Sequence, residues 1–438
     1  MSDKILSKRL IFLQLNELNF DLVKRYIDNG LRLPAIELLM SQHSIVTQSE
    51  KSYENQEPWI QWVSFYTGKK FADHRVFRLG DIVSYGGTQI FEKLEASGLV
   101  VGSVCAMNAD NRLLEPAYFI PDPWTKTHTD GSLVSLLLSD SISQLVNSNA
   151  RSKMSVYVLV KLAIGLIMVL PTRKIFSLVW QLPWAISKKW RRALFLDLLL
   201  HEVHTQLFKK SSPNFSVLFL NSGAHIQHHY LLSSLFNSVK NARNPGWYID
   251  ADDDPFKEIL LVYESIISDL YSMTDTQFVV ATGLSQEPFL ECVYYYRLNN
   301  HTNFLSLLSL PAFQAIPRMT RDFLMVFADK KAAVEAENKL SCLLVDDEIP
   351  LFGEIDNRGH ELFVVLTYSR EIDDSTTVRI DGVAVSLKQF VNFVAIKNGG
   401  HNPNGFAFFS DAIARFAPPD GAQVAALHQT VLSYFDVV

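Results

Sequence analysis

The order of apolar and polar positions along the chain predicts a parallel α/β domain. Leu10–Leu15 (LIFLQL) is a nearly continuous apolar run, typical of a buried strand, and residues 19–27 continue as a helix that stops at Asn-Gly. Residues 99–104 form a second apolar run, and further runs at residues 216–220 and 277–281 are each followed by a polar turn. Buried strands that alternate with helical segments favour a mostly parallel central sheet flanked by helices.

Two segments interrupt this alternation. A helix-rich block separates the early strands from the late ones, and a later region combines helices near residues 321–327 and 331–343 with strand-like segments at 362–367 and 378–380. The predicted organisation is a first part of the core at 1–130, a helical basic and apolar insertion at 131–212, a second part of the core at 213–318, a small α+β insertion at 319–395, and the end of the core at 396–438.

Polar side chains cluster directly after the predicted strands. Asn16 and Glu17 follow the first strand, the 221–229 segment follows a later one, and Gln286 and Glu287 follow another. In open α/β sheets, ligands bind beyond the carboxyl ends of the strands. The element order therefore predicts one shared pocket lined by these groups.

Composition narrows the classes of protein that fit. The chain has 438 residues, of which 48% are hydrophobic and 20% charged, so a disordered protein is excluded. A net charge of −6 argues against a nucleic-acid partner. Three cysteines at irregular spacing (Cys105, Cys292 and Cys342) favour a reducing compartment, and the polar first nine residues lack a secretion signal. The expected location is cytoplasmic.

One block departs from the acidic balance. Residues 151–210 contain eleven basic and two acidic residues, and an apolar and aromatic stretch leads into Lys188, Lys189, Arg191 and Arg192. One interpretation is that residues 173–192 lie on an anionic membrane surface, peripheral on its inner face. The other interpretation is a helical cap that packs on its own domain and exposes a solvated basic face.

Several segments, taken in order, resemble the alkaline phosphatase superfamily in its phosphodiesterase/nucleotide pyrophosphatase-like branch. The segments are LIFLQLNELNFDLVKRYIDNG (10–30), LPAIELLM (33–40), NQEPWIQWVSFYTGK (55–69), SGAHIQHHY (222–230), VVATGLSQEP (279–288) and GGHNPNGFAFF (399–409). The resemblance implies an alkaline-phosphatase-like fold. It also implies a site that holds two divalent cations, so the residues at those positions decide whether such a site is present.

Most positions that correspond to metal ligands or to the nucleophile have changed. They are occupied by Asn16, Gln56, Ala224, Gly283 and Leu284, which leaves His228 and His401 as good ligands. Two divalent ions without anionic ligands would leave several uncompensated charges in the pocket. The sequence therefore predicts no cofactor, and it leaves open a single divalent metal at His228 and His401.

The replacement residues suit metal-free chemistry on hydroxyl-rich ligands. Two carboxyl groups are the usual minimum for glycosyl chemistry, and Glu17 and Glu57 are the best pair, with Glu57 as base or nucleophile at a helix N-terminus. The predicted catalytic residues are Glu17, Glu57, His228 and His401. The predicted substrate-binding residues are Asn16, Asn19, Gln56, Trp59, His225, Gln227, His229 and Gln286. Structural roles stay open for Glu57 as a helix start, Asn16 as a cap and Trp59 in the core.

The predicted function is that of a metal-independent enzyme that hydrolyses or transfers a group on a glycan or a lipid-linked glycoconjugate. Two alternatives stay open. One is a non-catalytic glycan-binding or scaffold relative, and the other is a metal-dependent phosphodiesterase with displaced ligands.

Overall fold

The computed structural model describes residues 8–147, 156–239, 242–317 and 321–437. Two basic residues of the 151–210 block, Arg151 and Lys153, lie outside the described residues. The chain divides into two compact units. The first comprises Met1–Lys240, Gly246–Pro288 and Gly399–Val438, and the second comprises Asn241–Pro245 and Phe289–Asn398.

The described strands are β1 (Leu10–Leu15), β2 (His43–Gln48), β3 (Val101–Val104), β4 (Tyr118–Ile120), β5 (Phe215–Leu220), β6 (Gln277–Ala281), β7 (Ser285–Leu298), β8 (Phe313–Pro317), β9 (Asp322–Phe327), β10 (Leu344–Val345), β11 (Ile349–Pro350), β12 (Asp356–Asn357), β13 (Glu361–Val365), β14 (Thr377–Ile380), β15 (Val383–Ser386), β16 (Val391–Asn402) and β17 (Asn404–Phe409).

The described α-helices are α1 (Phe20–Asp28), α2 (Pro34–Ser41), α3 (Pro58–Thr67), α4 (Phe71–His74), α5 (Ile90–Ala96), α6 (Leu133–Asn147), α7 (Val156–Val169), α8 (Thr172–Ser187), α9 (Arg191–Ser211), α10 (Ser222–Tyr230), α11 (Pro255–Tyr271), α12 (His301–Ser306), α13 (Lys330–Ser341), α14 (Asp411–Ala414) and α15 (Ala426–Tyr434).

The first unit is built on a mostly parallel sheet. Among the described residues its strand order is β2-β17-β6-β1-β5-β3-β4. β1 pairs in parallel with both β5 and β6, and only β17 runs antiparallel to its neighbours. All six residues of β1 are buried, so both faces of this central strand are covered. The predicted fold class, a mostly parallel α/β sheet flanked by helices, is confirmed.

Helices dominate the segment between β4 and β5. Residues 133–211 form α6, α7, α8 and α9 in the first unit, apart from the segment outside the description. Leu138, Leu178 and Leu194 of these helices join the core of that unit. Within the described part of the chain, no helix is long and apolar enough to cross a membrane.

The second unit contains the α+β insertion and a core of its own. Its two four-stranded sheets have the orders β11-β10-β14-β15 and β12-β13-β9-β8, and their strands pair antiparallel. The long strands β7 and β16 pair with each other. The predicted bounds of the insertion, 319–395, stay a prediction.

One predicted helix of this unit is wrong. The segment near residues 321–327 forms the strand β9, not a helix. β9 pairs with β8 on one side and with β13 on the other. The β-branched and aromatic residues of DFLMVF suit a strand. A short apolar run fits a helix or a strand equally well, and here pairing with segments distant in sequence favours the strand.

Candidate metal centre

The carboxyl ends of several strands of the main sheet bring the polar residues of the first unit together. Glu17 follows β1, and His228 lies on α10, which begins directly after β5. Gln286 follows β6, and His401 lies at the end of β16. Parallel strands end at the same edge of a sheet, so residues that are far apart in sequence meet there.

Glu17 is the centre of this group. Its side chain is 2% exposed, and its Oε2 atom lies 3.1 Å from Nε2 of His228 and 3.3 Å from Nε2 of His401. Burial by itself raises the pKa of Glu17, but attraction and hydrogen bonding from the His228 and His401 imidazoles outweigh burial and hold the pKa well below its usual value. Glu17 is therefore an ionised carboxylate inside the protein.

The backbone at Glu17 adopts an uncommon conformation. Its φ angle is 59°, in the left-handed region that a residue with a Cβ seldom occupies. Two hydrogen bonds fix this turn: the Glu17 amide donates to the carbonyl of Thr282 at 3.0 Å, and Nε2 of Gln227 donates to the Glu17 carbonyl at 2.8 Å. A strained φ angle such as this one persists only where the surrounding structure fixes the residue in one position.

Three amide residues predicted to bind substrate make hydrogen bonds around this turn. Asn16 Nδ2 donates to Oε1 of Glu17 at 3.1 Å, and Gln286 Nε2 donates to Oε2 at 2.5 Å. Asn19 caps α1 through Leu22 and donates to the Gln286 carbonyl. Through these hydrogen bonds Asn16, Asn19 and Gln286, like Gln227, hold Glu17 and its turn in position. Their substrate-binding role stays a prediction.

Glu57, Gln56 and Trp59 lie at the start of α3. Glu57 is the N-cap residue before Pro58, and its Oε2 lies 3.8 Å from Nδ1 of His401. Gln56 is buried, and its amide donates to the Lys51 carbonyl at 3.4 Å. Trp59 packs against the core and donates from Nε1 to the Phe77 carbonyl at 2.9 Å. Of these three, Glu57 is the one in contact with the Glu17 group.

The three histidines of α10 have different neighbours. The 222–230 segment is helical, and the His228 ring lies 5.2 Å from the His401 ring, centroid to centroid. His225 and His229, four residues apart on the helix, have ring centroids 5.0 Å apart. Among the described residues, His228 is the histidine of this helix that joins Glu17 and His401 as a possible metal ligand. The substrate-binding role of His225 and His229 stays a prediction.

A second buried carboxylate holds the N-terminus of α10. Asp197, on α9, accepts hydrogen bonds from the amides of Asn221 and Ser222 and from the Tyr263 hydroxyl, at 3.3, 3.0 and 3.0 Å. Burial raises the pKa of Asp197 to about 6, although these hydrogen bonds lower it in part. Asp197 positions the helix that carries His228.

Glu17, His228 and His401 form a group that could hold a metal ion, since each offers one ligand atom and these atoms lie within 4.8 Å of one another. One carboxylate and two imidazoles are a common donor set for zinc. Ligand atoms about 3.3 Å apart suit a tetrahedral ion with bonds of about 2.0–2.2 Å. The prediction of no cofactor is thus contradicted. The sequence had left open a single ion at His228 and His401 with one nearby carboxylate, and Glu17 lies where such a carboxylate is needed.

The other nitrogen of each imidazole faces an oxygen. Nδ1 of His228 lies 3.3 Å from the Gly399 carbonyl, and Nδ1 of His401 faces Glu57. Histidines that bind metals usually donate from the second ring nitrogen to a carbonyl or a carboxylate, which fixes the tautomer and the ring orientation. The residues therefore fit one divalent ion. A second ion would add two positive charges without further carboxylate ligands.

Sequence reasoning missed two supports of the centre. Trp62, fully buried on α3, donates from Nε1 to Oδ1 of Asn16 at 2.8 Å. At Gly399, a Cβ would lie 2.6 Å from Oε1 of Gln286 and 2.8 Å from the Gln227 carbonyl. The Gly-Gly-His segment was a usable signal for this close approach, whereas nothing local in the sequence marks Trp62 as a partner of Asn16.

No family model matches the sequence, and no curated protein matches it. Among solved structures, the chain is similar to a phosphonoacetate hydrolase from Sinorhizobium meliloti 1021, with 12% identity, 98% of this chain and 96% of that chain covered, and a TM-score of 0.44. It is also similar to an alkaline phosphatase from the Antarctic bacterium TAB5, with 9% identity, 98% of this chain and 98% of that chain covered, and a TM-score of 0.41. A third similar structure is human ectonucleotide pyrophosphatase/phosphodiesterase 5, with 9% identity, 98% of this chain and 96% of that chain covered, and a TM-score of 0.43.

At identities of 9 to 12% and TM-scores below 0.5, the likeness concerns the path of the chain. The metal centre is accordingly argued from the geometry of this chain alone.

Proposed function

We propose that the protein is a hydrolase that uses one divalent metal ion held by Glu17, His228 and His401. The observation that carries this proposal is the approach of two imidazole nitrogens to one buried carboxylate oxygen, at 3.1 and 3.3 Å. Three protein ligands are typical of catalytic zinc sites, in which a further position is left for water or substrate. A bound ion of this kind supplies Lewis acidity and makes water more acidic.

The residues of the chain provide the remaining functions. Glu17 contributes the negative charge that attracts the ion, and Asn16 and Gln286 hold its two oxygens in place. The carbonyl of Gly399 orients His228, and the carboxylate of Glu57 lies beside His401. Glu57, with a side chain 30% exposed, is accessible to water and serves as the proton acceptor when a water molecule attacks the substrate.

The charge balance of the centre supports a substrate that carries little charge. Two carboxylates, Glu17 and Glu57, lie at the imidazoles of the centre and would offset the charge of one divalent ion. We therefore propose a glycan or glycoconjugate, whose hydroxyl groups suit the amides and imidazoles of the pocket.

The test combines metal analysis with turnover. Purified wild-type protein should contain about one divalent ion per chain. Glu17→Gln keeps the shape of the side chain and removes its charge, so it should lose the metal and lower hydrolysis of chromogenic glycosides by at least about 1,000-fold. Addition of a chelator should inactivate the wild type, and zinc should restore it.

His229→Ala is the matched control because His229 lies on the same helix but outside the metal group. It should keep the metal. If Glu17→Gln fails to fold by circular dichroism, His401→Ala takes its place. Full activity and metal content in both variants would refute the metal centre. Cleavage of bis(4-nitrophenyl) phosphate but not of glycosides would keep the centre and replace the glycan by a phosphodiester.

A further inference from the structure

The outer surface of helices α7 and α8 is apolar and exposed. Twelve large hydrophobic side chains of these two helices are at least 42% exposed among the described residues. They are Val156, Tyr157, Leu159, Val160, Ile164, Ile167, Met168, Phe176, Val179, Trp180, Leu182 and Ile186. Monomeric water-soluble proteins seldom expose apolar patches larger than a few hundred Å², so this outer surface is an interaction site.

On α7, the exposed positions lie along one side of the helix. Val158 and Gly165 are buried, whereas residues at 156, 160, 163 and 167 and at 157, 164 and 168 are exposed. These exposed positions recur every three or four residues, so they form two adjacent stripes along one side. Lys161, at the edge of the stripes, is paired with Asp140 of α6.

The exposed side of α8 is also apolar. Leu178 and Ala185 are buried, while Phe176, Trp180 and Ile186 are 70%, 87% and 67% exposed. Tryptophan is enriched where a membrane meets water because its ring is apolar and its N–H is polar. An indole that is almost wholly exposed is unusual on a protein surface that faces only water.

The charges around this surface fit an anionic partner. Residues 156–187 contain no aspartate or glutamate. Three of the nearby basic residues are bound to the protein itself: Lys174 pairs with Glu202, Lys188 with Asp250 and Asp253, and Arg191 with Glu258. In the described part of the chain, no carboxylate lies within 4.0 Å of the exposed residues Arg173, Lys189 or Arg192.

We propose that the outer surface of α7 and α8 docks on an anionic lipid bilayer, with its apolar side chains among the lipids and Arg173, Lys189 and Arg192 at the headgroups. Burial of the apolar side chains supplies the binding energy, and the basic residues select an anionic surface. This surface refines the 173–192 interpretation of the sequence. α7 takes part, and Lys188 and Arg191 fasten the helices to their own unit.

Flotation with vesicles tests the proposal. The full-length protein should float with phosphatidylcholine vesicles that contain phosphatidylglycerol and bind much more weakly to phosphatidylcholine alone. The variant I167S/F176S/W180S/I186S should lose binding at least tenfold. The matched control L114S/L235S/L290S alters side chains that are equally exposed (89%, 71% and 84%) and should bind like the wild type.

The charge contribution is tested separately. R173Q/K189Q/R192Q should weaken partitioning to the anionic vesicles by about 100-fold, since each basic residue near such a surface contributes about fivefold. K330Q/K331Q, exposed lysines of the second unit, is the control. Raising the salt concentration well above about 0.1 M, where the Debye length is about 10 Å, should weaken wild-type binding in the same direction.

Two results would overturn the proposal. One is unchanged flotation of the apolar variant. The other is absence of flotation in the wild type together with self-association in sedimentation velocity that the apolar variant abolishes, because the surface would then join two copies of the chain. Circular dichroism of each variant shows that a loss of binding does not reflect unfolding.

Discussion

Two buried carboxylates lie at different ends of helix α10. At its N-terminus, Asp197 accepts hydrogen bonds from two backbone amides and a tyrosine hydroxyl. Farther along, Glu17 faces the imidazoles of His228, which the helix carries, and of His401. Both carboxylates are fully or almost fully buried. The pKa of Asp197 is raised to about 6 by burial, while the pKa of Glu17 is held well below its usual value.

The difference shows what an ionised carboxylate needs inside a protein. Hydrogen bonds from neutral donors do not offset the loss of water around Asp197, so burial prevails. At Glu17, attraction from two groups that can carry positive charge prevails over burial. The same arrangement that keeps Glu17 ionised places three ligand atoms around one point. A cation at that point would take over the role of the protons on the imidazoles.

The largest expected effect is the rise in unfolding free energy when zinc is added. Zinc at about 1,000 times its dissociation constant should stabilise the wild-type protein by about 4 kcal/mol, because the ion binds only the folded state. Glu17→Gln should show little of this gain, since its neutral amide is a poor ligand. Urea unfolding with and without zinc measures the difference, and equal stabilisation of the two proteins would contradict the proposed centre.

A smaller effect is expected at the other end of α10. As pH falls from 7, folded Asp197 takes up its proton near pH 6, whereas the unfolded chain does so near the ordinary value of 3.8. The contribution of Asp197 to stability should therefore grow as pH falls towards 4 and be lost as pH rises through 6. Relative to Asp197→Asn, the unfolding free energy of the wild type should rise by up to about 3 kcal/mol as pH falls from 7 towards 4.

Urea unfolding of both proteins between pH 7.5 and about 4.5 checks this prediction, because groups common to both cancel in the difference. Asp197→Asn keeps the size of the side chain and lacks the titrating carboxyl group. A difference in unfolding free energy that does not change with pH would show that Asp197 keeps an ordinary pKa in the folded protein.

The smallest predicted effect concerns Glu57, which contacts His401 from outside the metal group. Glu57→Gln should lower metal affinity by about 10- to 100-fold, the usual loss when the partner of a ligating histidine is changed. Competition with a chromophoric chelator measures this affinity. Glu54→Gln, at an exposed glutamate in the turn before α3, is the matched control and should leave the affinity unchanged. Equal affinities in all three proteins would assign Glu57 to the helix start alone.

The sequence by itself determined the parallel α/β core, because its strands are continuous apolar runs whose pattern is local. Leu10–Leu15 and Gln277–Ala281 form strands with the predicted bounds. The segment near 321–327 was misjudged because a short apolar run reads equally as a helix or a strand until its partners are known. For β9, those partners are β8 and β13.

Only the tertiary structure shows which candidate residues lie together. The sequence named Glu17, His228 and His401 as candidates, but whether they could hold one ion depends on distances between the end of β1, the helix α10 and the strand β16. It also could not separate His228 from His225 and His229, which share a helix, or recognise Asn16 and Gln286 as supports of Glu17. Metal binding and pKa depend on distance and burial, and these are set by residues far apart in the chain.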